Sequence, residues 1–188
     1  MLLRGDRGLV SPRLLFIIDI VILVVDDWGV LLIMACYLFT FHAYRSWMPD
    51  RKEGFVRRGE GILPADDERA DQYNRKATEG AVLFVAEHQQ CLIDAVVQSC
   101  HHTESRCHGV ATDATNVHIL VSWQQDVLWK KKSVSVKTSL TRALNGKFGR
   151  RTWFSENGSR KWVRDRLHFD HLMRNYLSSH GGLLWFEG

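Results

Sequence analysis

The sequence predicts an α+β fold in which helices cover an antiparallel sheet. Short runs rich in β-forming residues alternate with longer amphipathic stretches, and a hydrophobic fraction of 45% in 188 residues is enough for one core. The predicted order from residue 37 is strand, helix, strand, strand, helix, hairpin, helix. This order suits a sandwich that is ferredoxin-like in outline.

The first two thirds of the chain contain three predicted strands and one helix. Aromatic and β-forming residues predict a strand over residues 37–44. The charged segment 51–72 contains several glycines and predicts a long exposed loop. Apolar residues at helical spacing over residues 78–99 predict an amphipathic helix, and strands follow over 106–112 and 117–123.

The last third of the chain predicts two helices and a hairpin. Residues 133–144 combine apolar and basic positions in a helical pattern that ends near Asn145. Residues 153–163 predict two strands joined by a turn at Asn157. Residues 167–179 carry leucines, a methionine and a tyrosine at helical spacing, and a glycine pair follows them.

The N-terminal segment is apolar but does not fit a membrane span. Residues 14–25 are almost all aliphatic, yet the run is too short to cross a bilayer and Asp19 would be costly inside one. Met34 reads as a native start followed by a strand. We therefore predict an extension outside the fold at residues 1–33 and a single domain at residues 34–188. The alternative is an apolar helix or anchor, as in a small membrane-tethered protein.

The distribution of charge is more informative than the formal net charge of +4 and the pI near 9.0. Residues 129–166 include twelve Lys or Arg and two acidic residues. Such a stripe suits a phosphate backbone, although a solvated face is the alternative. Trp129, Trp153 and Trp162 are candidates for stacking on bases or for core positions. The candidate backbone contacts are Lys130, Lys131, Lys132, Lys137, Arg150, Arg151, Arg160 and Lys161.

The four cysteines match no disulfide scaffold in spacing, so we predict reduced thiols and a cytoplasmic location. Cysteine and histidine residues are frequent between Cys100 and His108. That stretch lacks the paired CxxC elements of structural zinc sites. We therefore predict that Cys100 ends a helix on its buried side and that the following histidines are exposed in a turn.

Two short motifs carry the chemistry. Side chains alternate along a strand, so Asn116 and His118 point to the same face. Residues four apart on a helix are neighbours, so Tyr176 and His180 share a face. Brought together, these residues would combine metal-ligand types with a phenolic hydroxyl, as a tyrosine nucleophile needs in order to cut a phosphodiester. A core histidine and a packed tyrosine are the alternatives.

Three segments resemble the single-tyrosine HUH transposases of small insertion sequences and of REP elements. In that family, an opening strand and loop resembles YLFTFHAYRSWMPDRKEGFVRR, and the metal-binding strand with its His-hydrophobic-His motif resembles TNVHILVSW. The helix that carries the catalytic tyrosine resembles WFSENGSRKWVRDRLHFDHLMRNYLSSHGG. The resemblance covers roughly residues 35–185.

The resemblance implies a role for each of the four motif residues. Tyr176 matches the nucleophile, His118 the second histidine of the motif, and His180 a third metal ligand. Asn116 stands where the first histidine is expected. The implied cofactor is Mg²⁺ or Mn²⁺, and an Asn carbonyl oxygen suits a hard cation. A catalytically decayed DNA-binding remnant of the same fold is the alternative that Asn116 leaves open.

The implied function is DNA transposition through cleavage and rejoining of single-stranded or hairpin DNA. A divalent cation would hold the scissile phosphate while Tyr176, whose phenol ordinarily has a pKa near 10, attacks it. The product would be a 5′-phosphotyrosine and a free 3′-hydroxyl, which can reverse the reaction on another end. A homodimer is also implied, in which the Tyr176 helix completes its own metal site or that of the partner.

Overall fold

The computed structural model describes most of the chain from residue 31 to the C-terminus. The described residues are 31–52, 54–57, 60–77, 79–124, 127–156 and 158–188, with the backbones of 15–18 and 21–25. Side chains are described from residue 34 onward within these ranges, except at residues 56 and 57.

The described residues form nine strands and four α-helices. The strands are β1 (Leu15–Ile18), β2 (Val21–Val25), β3 (Leu31–His42), β4 (Phe55–Arg57), β5 (Gly61–Leu63), β6 (Arg106–Thr112), β7 (Asn116–Gln124), β8 (Ser159–Trp162) and β9 (Leu184–Phe186). The helices are α1 (Asp67–Lys76), α2 (Ala86–His102), α3 (Trp129–Phe148) and α4 (Arg166–His171).

Helix α4 continues through a π-helical turn, Leu172–Tyr176, and a 3₁₀ turn, Leu177–Ser179. Residues 166–179 are called the C-terminal helix below. Asp165 begins this helix, because its carboxylate accepts a 2.7 Å hydrogen bond from the His168 amide.

The main sheet is antiparallel and is organised around β3. This strand pairs with β7 over its length, from Met34 opposite Gln124 to His42 opposite Asn116. The sheet continues from β7 to β6 and β9, while β8 pairs with the other edge of β3 and the backbones of β1 and β2 extend that edge. The prediction of an α+β fold with helices packed on an antiparallel sheet is confirmed.

The two faces of the sheet carry different elements because side chains alternate along each strand. Ile119 and Trp123 of β7 face the larger core, which is formed with α2 and α3. Leu120 faces a smaller core on the opposite side, where Leu172 and Leu177 of the C-terminal helix are buried. The C-terminal helix is therefore fixed to the sheet face that also carries His118.

The predicted loop over residues 51–72 is wrong. The chain forms the β4–β5 hairpin there, and α1 begins at Asp67. The sequence conceals α1 because the helix is polar on nearly all sides, with Ala70 as its buried residue. Its stability comes from its ends, where Asp66 accepts a hydrogen bond from the Arg69 amide and the terminal charges oppose the helix dipole.

The predicted helix over residues 78–99 is shifted toward the C-terminus as α2. The segment 79–85 is neither helix nor strand, and residue 78 lies outside the described residues. Val82 and Phe84 are buried there, and their amides donate to the carbonyls of Tyr44 and Ala114. Apolar residues thus follow helical spacing by coincidence before the helix begins. The predicted helix over 133–144 is longer at both ends, as α3.

The predicted hairpin over residues 153–163 is not formed by its two arms pairing with each other. Phe154 forms a β-bridge with Ala43, and β8 pairs with Tyr37 to Thr40 of β3. Both arms therefore pair with the same long strand. The predicted turn residue Asn157 lies outside the described residues.

The question of the N-terminal extension falls mostly on residues outside the described ranges, and the predicted boundary between residues 33 and 34 stays a prediction. Among the described residues, no helix combines the length and apolar character needed to cross a membrane. All four cysteines are buried and unpaired. Cys100 is on the buried side near the end of α2, as predicted. His101 and His102 are exposed, but they still belong to α2 and not to a turn, and His108 is buried in β6.

We predict that Leu177→Ala destabilises the protein by about 2–5 kcal/mol, because it leaves a cavity under the C-terminal helix. The Leu177 side chain is fully buried. Leu167→Ala is the matched control on the same helix, since Leu167 is largely exposed, and it should change the free energy of unfolding by less than about 0.5 kcal/mol. Urea denaturation measures both. Equal losses would contradict the described packing of this helix.

Candidate catalytic site

The pairing of β3 with β7 brings four polar side chains to one place on the sheet. Thr40 lies directly opposite His118, and His42 lies directly opposite Asn116. Opposed residues in an antiparallel pair point to the same face. Because the C-terminal helix covers this face, its side chains meet those of the four strand residues.

His118 is buried and its ring is held on one side. Its Nδ1 lies 2.9 Å from Thr40 Oγ1 and 3.3 Å from the Tyr176 hydroxyl. The Tyr176 ring stands perpendicular to the imidazole at a centroid distance of 5.4 Å. The other nitrogen, Nε2, is buried and has no hydrogen-bond partner among the described residues. One nitrogen of this histidine is thus positioned, and the other can bind a further group.

Tyr176 reaches His118 because of the local form of the C-terminal helix. The residue ends the π-helical turn, in which the Leu177 amide donates to the Leu172 carbonyl five residues earlier. Such turns are rare and occur often at functional sites. Buried Leu172 and Leu177 flank Tyr176 and anchor the turn. The Lys161 ammonium of β8 lies 5.8 Å from the centre of the Tyr176 ring.

The chain after the C-terminal helix is fixed against the end of β6. The Gln89 side-chain oxygen accepts hydrogen bonds from the Leu183 amide and the Thr112 hydroxyl, both at 2.9 Å. A Cβ atom at Gly182 would collide with the Thr112 carbonyl oxygen and with Gln89. This close approach needs glycine at position 182, and it fixes the path of the chain that follows His180.

His180 joins the site through this path. Its ring stacks on that of His118, with centroids 4.0 Å apart and planes 16° from parallel. Its Nδ1 lies 3.7 Å from Oδ2 of Asp113, and its Nε2 is buried without a partner among the described residues. Two imidazoles and one carboxylate therefore lie side by side.

Asp113 is the site residue that the sequence analysis missed. It lies in the turn between β6 and β7, where its Oδ1 accepts from the amides of Thr115 and Asn116 at 2.6 and 2.8 Å. An aspartate in a turn ordinarily has this role alone. Its place three residues before Asn116 is the signal in the sequence, but the approach of His180 depends on the tertiary structure.

Asn116 is held between two neighbours. Its Oδ1 accepts from His42 Nδ1 at 2.5 Å, and its Nδ2 donates to Asp113 Oδ2 at 3.1 Å. The amide oxygen is therefore engaged by His42, while the amide nitrogen orients the Asp113 carboxylate. In this arrangement Asn116 adjoins the cluster and supports it.

The two imidazoles of the cluster are held neutral. Burial, and then the proximity of His180, lower the pKa of His118 to about 3. Burial also lowers the pKa of His180, with the charge of Asp113 acting in the opposite direction. Neutral imidazole is the form that binds metals, so both rings are in the ligating form at neutral pH.

The pKa values of the Asp113 carboxyl and the Tyr176 phenol are shifted in opposite directions. Burial opposes ionisation of Asp113, but hydrogen bonds from Thr115 and Asn116 outweigh it and hold the pKa of the carboxyl below its usual value. Burial, and then the negative charge of Asp113, raise the pKa of the Tyr176 phenol. The site thus holds an ionised carboxylate beside a protonated phenol at neutral pH.

The donor set fits a divalent cation. Ligand atoms of Asp113, His118 and His180 all lie within 4.8 Å of one another. The two histidines each have a buried Nε2 without a partner among the described residues. Unpaired polar atoms in a buried site call for a partner that is polar or charged. A cation is a suitable partner because the three donors are two neutral imidazoles and one carboxylate.

The predicted basic stripe is distributed over both sides of the sheet. Lys132 is buried and donates to the Thr103 carbonyl and the Ser105 hydroxyl, and Lys137 donates to the carbonyls of residues 155 and 156. Arg151 donates to the Gly80 carbonyl. Lys130, Lys131, Arg150, Arg160 and Lys161 are exposed. Of the eight, Lys161 is the residue with a described contact to the site.

The three predicted stacking tryptophans differ in environment. Trp153 is in the core and donates to Asn145. Trp129 is half-buried, with the Arg160 guanidinium 3.4 Å above its ring. Trp162 is exposed on β8, where it pairs with Tyr37. Tyr37 packs against the core of α2 and α3, so Trp162 lies on the sheet face away from Tyr176.

Comparison with known proteins found no matching protein family and no matching curated protein. The solved structures that are similar to this chain include the following two. A REP-associated tyrosine transposase bound to a REP hairpin has a TM-score of 0.43 and 11% identity over 74% of this chain and 62% of that one. A provisionally named transposase from Deinococcus radiodurans R1 has a TM-score of 0.41 and 12% identity over 96% and 100%.

We predict that the protein loses stability as the pH falls from about 6.5 toward 3. His118 and the buried His108 both have a folded pKa of about 3, His108 through burial and then the charge of Arg106. In this window the unfolded chain binds more protons than the folded chain, so acid favours unfolding. Urea denaturation across the window measures the slope.

The contribution of His118 is separated by a variant. His118→Gln removes one titrating group. The slope of the unfolding free energy against pH should therefore be smaller than in the wild type, by an amount that corresponds to at most one proton. An unchanged slope would contradict the buried, neutral state assigned to His118. His108 is present in both proteins, so its contribution cancels in the comparison.

Proposed function

We propose that this chain is a metal-dependent single-strand DNA nuclease and strand transferase, with Tyr176 as its nucleophile. One observation carries the proposal. The Tyr176 hydroxyl lies 3.3 Å from His118 Nδ1, and the opposite nitrogen of that histidine is buried within the Asp113–His180 cluster with no hydrogen-bond partner among the described residues. A phenol beside a cation-binding cluster is the arrangement that tyrosine attack on phosphate requires.

Asp113, His118 and His180 would hold the cation. Two imidazoles and a carboxylate suit Mn²⁺ better than Mg²⁺, which prefers oxygen ligands throughout. When bound, the cation would stabilise negative charge on the oxygens of the scissile phosphate. Thr40 fixes the His118 ring through Nδ1, which leaves Nε2 for the cation.

Asn116 takes a supporting role in this proposal. The sequence resemblance counts it as a ligand position, but its amide oxygen is already engaged by His42. Its amide nitrogen donates to Asp113 and so directs the carboxylate. Asp113 thereby replaces the ligand that the missing histidine would have supplied.

Tyr176 must lose its proton in order to attack. Burial and the Asp113 charge raise the pKa of its phenol, so the free phenol is unreactive at neutral pH. A positive charge bound to Asp113 would remove the second cause. A cation bound at Asp113 would therefore lower the pKa of the Tyr176 phenol and make it a better nucleophile.

The proposed reaction is a reversible transfer of one phosphodiester bond. The Tyr176 oxygen bonds to phosphorus, the bond to the 3′ oxygen breaks, the phenolic proton passes to solvent and the 3′ oxygen takes up a proton. The products are a 5′-phosphotyrosine and a free 3′-hydroxyl. Attack by a 3′-hydroxyl on the phosphotyrosine rejoins DNA without an external energy source, which suits DNA transposition.

The proposed substrate is single-stranded or hairpin DNA. Lys161 lies on the Tyr176 side of β8, while Arg160 points to the other side and covers Trp129 at the start of α3. Exposed Lys130 and Lys131 adjoin Trp129 in the chain. A phosphate backbone could follow these charges around the β8 edge of the sheet to the site.

The arrangement supports a complete site within one chain, because the contact between Tyr176 and His118 is made within a single copy. The homodimer implied by the sequence resemblance stays a prediction. The strand order β8–β3–β7–β6, with α2 and α3 on one face, supports the ferredoxin-like outline.

We predict that Tyr176→Phe abolishes the covalent protein–DNA product, because phenylalanine keeps the ring and removes the attacking oxygen. A labelled hairpin single strand with Mn²⁺ is incubated with the protein, and the adduct is detected on a denaturing gel. Tyr73→Phe, on exposed helix α1, is the matched control and should form adduct as the wild type does.

Adduct formation by Tyr176→Phe at the wild-type rate would refute the nucleophile. A wild-type chain that binds single strands without cutting them, while Asn116→His gains cleavage, would instead identify the chain as a decayed DNA-binding remnant.

We predict that Asp113→Asn weakens Mn²⁺ binding by more than about tenfold, because it removes the only charged donor of the cluster. Titration calorimetry of the DNA-free chain measures the affinity. Asp170→Asn is the matched control, since Asp170 lies on the C-terminal helix in an ion pair with Arg166. Equal Mn²⁺ affinity in the two variants would show that Asp113 is not a ligand of the metal.

A further inference from the structure

Trp47 is an exposed indole just beyond the end of β3. Its side chain is 42% exposed, whereas Trp123 and Trp153 are in the core. Single exposed apolar residues are common and need no explanation by themselves. The surroundings of Trp47 are what distinguish it.

The Trp47 ring touches the candidate site on one side. Its centroid lies 5.1 Å from that of the His42 ring, with the planes 40° apart. His42 is hydrogen-bonded to Asn116, and Asn116 is hydrogen-bonded to Asp113. Three successive contacts therefore lead from the exposed indole to a candidate ligand of the cation.

A planar cation covers Trp47. The guanidinium carbon of Arg51 lies 4.2 Å from the centre of the indole ring, within the range of a cation–π interaction. A flat, delocalised group can thus lie on this ring, and a nucleobase has the same shape. Arg51 and Trp47 together offer a surface for a base beside a charge for a phosphate.

We propose that Trp47 and Arg51 form a nucleotide subsite next to the cation site. An unpaired base stacks on Trp47 in the place that the guanidinium takes here, and Arg51 moves to the neighbouring backbone phosphate. The proposal rests on the proposed function, because it takes the substrate to be single-stranded DNA. Stacking on an indole requires an unpaired base, so the subsite would favour single strands over duplex DNA.

The subsite also gives the cation site a means of selecting one phosphate. A base held at Trp47 would position the backbone that leaves it, and the chain of contacts through His42 fixes the distance from Trp47 to Asp113. Phosphate contacts alone would let the strand slide. A stacked base therefore sets which phosphodiester faces Tyr176.

The test is an abasic scan combined with a substitution. The full chain carrying Tyr176→Phe is used with Mn²⁺, so that no cleavage interferes. Its affinity for fluorescein-labelled single strands of mixed sequence is measured by anisotropy. An abasic site is moved along the strand one position at a time. At one position the loss of the base should weaken binding roughly thirtyfold, the middle of the range for one stacked base.

Adding Trp47→Ala should weaken binding of the intact strand by the same factor and remove the effect of the abasic site at that position. Trp47→Phe should restore most of the affinity, because a phenyl ring also stacks. Trp162→Ala is the comparison, a tryptophan of similar exposure on the other face of the sheet. Because Trp162 lies on β8 along the proposed DNA path, its loss can weaken binding of the intact strand, but the abasic sensitivity at the Trp47 position should remain. Arg51→Gln should reduce the slope of log affinity against log salt by about one.

Additive losses from Trp47→Ala and the abasic site, or the absence of any sensitive position, overturn the subsite. The subsite and the proposed chemistry fail separately. If the wild type cleaves DNA but the abasic site and Trp47→Ala act independently, the proposed chemistry stands and the subsite is refuted. If the abasic site and Trp47→Ala are coupled but the wild type does not cleave DNA, the subsite stands and the proposed chemistry is refuted. If the chain does not bind single strands, both are refuted.

Discussion

The register between β3 and β7 is the constraint on which the site depends. It sets Thr40 opposite His118 and His42 opposite Asn116, and it directs all four side chains to the face under the C-terminal helix. A slip of one residue in β7 would turn His118 toward α2 and α3 and expose Ile119 to the opposite side. The fully apolar face of β7 resists that slip, because the larger core needs it buried. The same packing that stabilises the sheet therefore also places the histidine.

Tyr176 and His180, the site residues near the end of the chain, are held in place at two points. Leu172 and Leu177 bury the C-terminal helix in the smaller core, which brings Tyr176 to His118. Gln89 then ties the segment after Gly182 to β6, which brings His180 to Asp113. A helix from one part of the fold and a turn from another thus meet over a single strand. Their meeting keeps two imidazoles neutral beside an ionised carboxylate, and the proposed cation site depends on this electrostatic arrangement.

Local patterns predicted those elements whose stability is visible in their own sequence. The strands around His118 and the C-terminal helix have apolar residues at the right periods, because one face of each is buried. Helix α1 escaped prediction because its capping residue and terminal charges stabilise it without an apolar face. The predicted hairpin after Trp153 failed because both arms found a better partner in the long β3 strand. Pairing partners depend on the whole sheet, which a local pattern does not contain.

The sequence by itself determined which side chains could share a face: Asn116 with His118 on a strand, and Tyr176 with His180 at the end of a helix. Those relations follow from the periods of strand and helix and need no tertiary information. Only the tertiary structure decided that Asp113 lies beside His118 and His180, that Asn116 is hydrogen-bonded to its carboxylate, and that Lys132 is buried. Each of these outcomes depends on which distant segment covers the residue, and burial and long-range contacts are properties of the folded chain alone.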